Sequence, residues 1–213
     1  MRTHKARHRT TILEALQLGR LLLEIDGHGQ RNGYFAVHFA IQIMPCVFVR
    51  TSELINARWE QINFATYEWR CTVNMTNTPH AVPLAPQVMA ILEKLKIGTG
   101  NGDLLFPNMR DYTQPISEVT LVGALRRLGY TPQQMCIHGF RATTRALLDG
   151  VLRERYALIE HQLAHMVRDP NGRPCNRTEF IEERRGMMNR WADYLDSLRE
   201  KAREAHTSHT ETI

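Results

Sequence analysis

The chain has 213 residues, 43% of them hydrophobic and 23% charged, which suits one well-buried core and not several independent domains. No stretch approaches the roughly 18 consecutive apolar residues of a membrane span, and the basic start MRTHKARHR leads into LLLEIDGHGQ instead of a cleavable apolar run. Neither a membrane helix nor a secretory leader is expected, so the chain is placed in the cytoplasm, and its net charge of +5 favours a polyanionic partner without identifying one.

Residues 1–9 read as a basic extension. Thr11 to Glu14 has the form of a capping box, and Leu13, Leu16, Leu21 and Leu23 predict a helix to about Asp26, broken by GHGQRNG. A second apolar helix is expected over Tyr34 to Met44, with Pro45 as its bend or end. Thr51, Ser52 and Glu53 read as the start of another. After Trp59 the period changes, and INF, EWRCTV and HAVPL predict three short antiparallel strands. Pro86 suits the first position of a helix QVMAILEKLK, and Ser117 caps one through Leu128. Further helices are expected over about Phe140 to Asp149, Tyr156 to Met166 and Thr178 to Ala202. The last carries an apolar stripe of Ile181, Met188, Trp191, Leu195 and Leu198. The predicted class is therefore mainly α with a small antiparallel three-stranded sheet, one domain over 10–202, and a disordered tail over 203–213.

Cys46, Cys71, Cys136 and Cys175 lie far apart without a CxxC pair, so reduced thiols are expected. His161 and His165 have the spacing of a zinc protease helix, but Gln162 stands where that chemistry needs a carboxylate base, and His161 reads as a partly exposed helical histidine. His138 and Arg141 stand three apart, a spacing that places both on one helical face and that also suits a surface or capping pair. Arg50 follows the apolar run MPCVFV. It either pairs with Glu53 at the surface or is oriented by Glu53 toward a phosphate, for which its donor fork is suited.

In order along the chain stand FVRTSELINARWEQI, HAVPLAPQ, HGFRATTRALLD and IEHQLAHMVRDPNGRPCNR, followed by EERRGMMNRWADYLD. Together they resemble the catalytic domain of the tyrosine recombinase, or phage integrase, family, in its satellite-phage and genomic-island subgroup, over about residues 8–198. The resemblance implies the tyrosine recombinase catalytic-domain fold, duplex DNA as partner, and no metal or nucleotide cofactor. It implies strand cleavage through a 3′-phosphotyrosyl intermediate, then rejoining. Arg50 and Arg141 would neutralise the phosphate's non-bridging oxygens, and His138 and His165 would donate hydrogen bonds and assist proton transfer.

Three departures follow. Where the family has a lysine acid on the sheet's hairpin, the nearest residue is Met75, and no lysine lies between Lys5 and Lys94. At the nucleophilic tyrosine's position stands Cys175, next to Pro174; a thiol is a good nucleophile but shorter than a phenol. The family's N-terminal core-binding and arm-binding domains are read as absent before residue 10. The chain is therefore expected to be an integrase catalytic domain with impaired cleavage. The alternatives are a non-catalytic DNA-binding protein, a partner of an intact recombinase, or a decayed prophage remnant. The family exchanges C-terminal segments between protomers, so the final helix, with Met187, Met188, Trp191 and Leu195, is expected either to form a homo-oligomer on DNA or to pack its stripe on its own core.

Overall fold

The computed structural model describes residues 14–31, 35–73, 75–165 and 180–210. Eight α-helices occur among them: α1 (Ala15–Arg31), α2 (Phe35–Val47), α3 (Thr51–Ile55), α4 (Pro86–Thr99), α5 (Glu118–Arg127), α6 (Gly139–Gly150), α7 (Tyr156–Gln162) and α8 (Ile181–Thr210). The strands β1 (Ile62–Asn63), β2 (Glu68–Val73) and β3 (Thr78–Pro83) form an antiparallel sheet in the order β1-β2-β3, with Trp69 opposite both Ile62 and Val82. The class is mainly helical with a small three-stranded sheet, as the sequence predicts.

The centre of the molecule is α2, ten of whose residues are buried, and α1, α4, α5, α6 and α8 pack around it. Leu18, Leu21, Leu22 and Ile25 give α1 one apolar stripe, which lies along α8. Met187, Met188, Trp191, Leu195, Leu198 and Ala202 of α8 are likewise buried within this chain, and Trp191 Nε1 donates to Pro45 O at 2.8 Å. No helix among the described residues is long and apolar enough to cross a membrane.

Local signals place several ends as expected. Pro86 occupies the first turn of α4, and Ser117 Oγ accepts from Thr120 N at 3.2 Å to cap α5. Elsewhere packing overrides them. The α1 helix runs through the expected break to Arg31; an interior glycine costs about 1 kcal/mol, less than the full burial of Ile25, two residues before Gly27, returns. Likewise α2 continues past Pro45 to Val47. The tail expected to be disordered from residue 203 is helical to Thr210, and α7 stops at Gln162, short of Met166. His161, expected to be partly exposed, is 1% exposed and packs edge-on against Phe180 with ring centroids 5.5 Å apart. The 1–9 extension, the capping residue Thr11 and Cys175 lie outside the described residues.

Candidate active site

The α2 helix ends in a left-handed residue, Phe48 (φ 62°), whose ring is buried edge-on against Trp191. This reverses the chain so that Val49 and Arg50 lead directly into α3. Arg50 is the N-terminal cap residue of that helix, but an arginine side chain has no acceptor for a first-turn N–H. Glu53 closes the turn instead: its Oε2 accepts from Arg50 N at 2.8 Å while its Oε1 meets Arg50 Nη1 at 3.2 Å. The Glu53 side chain is 1% exposed and that of Arg50 22%, so the acid sits beneath the guanidinium and holds it at the surface.

Arg141, in the first turn of α6, ties three segments together. Its Nη1 donates to Phe48 O, two residues before Arg50, and its Nη2 donates to Leu163 O at 2.7 Å. The same Nη2 stands 3.5 Å from His165 Nε2. Buried carbonyls and a rigid donor fork together fix the guanidinium, so Arg141, His165 and the Arg50 loop converge although they are far apart in sequence. A cationic cluster of this kind can bind an anion such as a phosphodiester.

His165 arrives there through the end of α7. His165 N donates to Glu160 O at 2.9 Å and Ala164 N to His161 O at 3.0 Å, with Ala164 left-handed at φ 53°, the hydrogen-bond pattern of a Schellman cap. The cap folds His165 back over Glu160, whose Oε2 lies 2.7 Å from His165 Nδ1 and whose Oε1 accepts from Arg145 Nε at 2.6 Å. Burial pushes the Glu160 pKa up, but the hydrogen bonds from Arg145 and His165 outweigh it and hold the carboxyl below its usual range. Arg145 also donates to the Tyr156 hydroxyl at 3.2 Å and lies over that ring.

His138 is placed differently. It stands at the N-cap position of α6 instead of within the helix, makes no side-chain capping bond, is about half exposed, and turns its Nε2 toward Glu118 Oε1 at 3.7 Å. Met75 stands 78% exposed between β2 and β3, where the resemblance expects the lysine acid. Glu160, Arg145 and the turn at Ala164 were not foreseen from sequence. Cys46 and Cys71 make poor substitute nucleophiles at ordinary pH, because burial pushes their thiols up to about 12. Among the described residues, no group of three or more histidine, cysteine or carboxylate side chains is arranged to hold a metal ion.

The start of α8 closes the floor beneath α7. Arg184 is fully buried; its Nε donates to Gln162 Oε1 at 3.0 Å and its Nη2 to Ala81 O, and burial lowers its pKa to about 10. Gln162, which argued against a zinc site, is thus a structural link between α7, α8 and the sheet.

The sequence profile described as the phage integrase family matches residues 13–166. The integrase of Enterobacteria phage P4 is 35% identical over 216 residues, which cover 93% of this chain and 48% of that protein. IntB of Escherichia coli K12 is 35% identical over 206 residues, 89% of this chain and 51% of that protein. The chain thus spans about half the length of these curated relatives. Among solved structures, the integrase of mycobacterium phage Brujita has a TM-score of 0.61 at 14% identity, covering 90% of this chain and 60% of that one. A lambda integrase dimer bound to a COC′ core site has a TM-score of 0.57 at 18% identity, covering 78% and 61%. At such identities these structures speak for the fold, that of a tyrosine recombinase catalytic domain. From the profile and the curated relatives together, this chain belongs to the phage integrase family.

Proposed function

We propose that this chain is the DNA-binding catalytic domain of a site-specific integrase, with its phosphate-gripping residues assembled and its strand cleavage impaired. The observation that carries the reading is the convergence on Arg141 of Phe48 O, Leu163 O and His165 Nε2, which draws the Arg50 loop, α6 and the end of α7 together. Duplex DNA is the partner by analogy with lambda integrase, whose structures hold a dimer on a core site and a tetramer on a Holliday junction.

In this reading Arg50 and Arg141 face the non-bridging oxygens of a scissile phosphate, and Glu53 holds Arg50 from below. Fixed cations there stabilise the charge that builds on the equatorial oxygens. His165 can donate a hydrogen bond to the phosphate once both of its ring nitrogens carry a proton, and His138 can do so by turning from Glu118. Met75 cannot give a proton to the leaving oxygen as a lysine at its place would, a loss of about 10²–10⁴ in rate. Cys175 at the nucleophile's position has less reach than a phenol, and about 1 Å of misplacement alone can cost about 100-fold. An oligomer on DNA through α8 would have to exchange that helix as a unit, because its apolar stripe is already buried in its own chain.

Relaxation of supercoiled plasmid at low salt tests the proposal, with the unaltered chain beside Cys175→Tyr. Relaxation restored only by the tyrosine is the expected result. Relaxation by the unaltered chain at a comparable rate overturns the impairment. Inactivity of both, with duplex binding intact, favours the second reading, motivated by Met75 and Cys175 together: a non-catalytic DNA-binding protein.

A further inference from the structure

Glu160 has two carboxylate oxygens and two donors, and each oxygen serves one: Oε1 takes Arg145 Nε at 2.6 Å and Oε2 meets His165 Nδ1 at 2.7 Å. The carboxyl group is 90% buried, and an ionised carboxylate can only accept, so the hydrogen in the second contact belongs to His165 Nδ1. The ring's other nitrogen, Nε2, is then the one beside Arg141.

We infer that Glu160, fixed in turn by Arg145, is a positioning residue that commits His165 to the Nδ1-protonated tautomer and turns Nε2 toward the candidate phosphate site. The role as a DNA site rests on the proposed function; the tautomer does not. The consequence is specific. A neutral His165 presents a lone pair at Nε2 and can accept a proton or a hydrogen bond there; it donates to a phosphate oxygen only after taking a second proton. Among the described residues, the charged groups that face the ring are Glu160 from α7 and Arg141 from α6, with Arg145 one step behind Glu160.

The arrangement also fixes what Glu160→Gln does. Arg145 can only donate, so it takes the amide oxygen, and the amide N–H₂ is left facing Nδ1. Nδ1 must then accept, and the proton moves to Nε2. The substitution therefore inverts the tautomer without removing a side chain.

Nitrogen NMR of the full chain labelled at histidine, with His165→Gln to assign the signal, reads this directly at a pH where the ring is neutral. The unaltered chain should show protonated Nδ1 and bare Nε2, and Glu160→Gln should shift the tautomer ratio toward Nε2–H by roughly tenfold or more, as expected for exchanging a charge-assisted hydrogen bond. A dominant Nε2–H tautomer in the unaltered chain overturns the inference, as does an unchanged ratio in a folded Glu160→Gln. If that variant does not fold, the unaltered chain decides alone. Titration of both proteins with a short duplex separates the two claims: no binding by either sinks the DNA reading and leaves the tautomer result standing, whereas binding with the wrong tautomer sinks the positioning role only.

Discussion

Removing Arg50 would leave the Glu53 carboxylate 1% exposed, still bonded to its own helix turn but without a counter-charge. Arg50→Gln is therefore expected to cost about 1–3 kcal/mol of stability, the usual penalty for a buried charged group that loses a partner. Adding Glu53→Gln removes the stranded charge while its amide oxygen can keep the cap, so the double variant should recover most of the melting temperature. Its affinity for duplex DNA should stay reduced, because the guanidinium is still missing. Thermal unfolding and DNA titration on the same three proteins check this, and recovery of affinity with stability would show that Arg50 acts on folding alone. At this scale the sequence was legible where words named the residues: Arg141 meets His165 and the carbonyl of Phe48, two residues before Arg50, while what these side chains do for a phosphate belongs to the proposal. Glu160 was not legible, because it lies five residues before His165, and helical neighbours are three or four apart. Only the left-handed turn at Ala164, a residue that does not announce such a conformation, brings the two together.

Where α1 crosses α8, Gly19 has no room for a side chain: a Cβ there would meet the Leu198 carbonyl and stand 3.1 Å from the Ala202 Cβ. Two effects oppose one another in Gly19→Ala. The helix gains about 1 kcal/mol from the better former, whereas forcing atoms into a packed contact costs about 1–3 kcal/mol. The obstacle is backbone, which cannot swing aside, so net destabilisation is expected, read as a lower urea midpoint. Equal or greater stability would mean that the two helices do not approach so closely. Element ends divide along the same line. Those set by one residue's chemistry, such as Pro86 and Ser117, could be read directly. Those set by a partner surface could not. The α1 helix outlasts its glycines and α2 its Pro45 because both lie against the common core, and α7 ends early because His165 is drawn back onto Glu160.

The net charge of +5 suggested a polyanionic partner, yet many of the arginines in the second half of the chain serve the fold. Arg145 binds Glu160, Arg190 binds Glu154, Arg199 binds Asp26 and Arg185 binds Glu68, while Arg184 is buried between Gln162 and Ala81. The count of 27 basic residues, not the net charge, therefore overstates what the molecule offers a duplex, and a modest footprint follows. If about four phosphates are neutralised, log affinity should fall with log salt at a slope near −3.6, roughly a hundredfold between 50 and 200 mM. Cys175→Tyr adds no charge and should leave that slope unchanged even if it restores cleavage. The Arg50→Gln/Glu53→Gln pair should flatten it by about one, since each phosphate contact contributes about 0.9. A slope near zero in the unaltered chain would remove duplex DNA as the partner, whereas a steep slope untouched by Arg50 would move the binding surface away from the site. The slope thus separates a chain that still grips phosphate but cannot cut from one whose cations serve only its own fold.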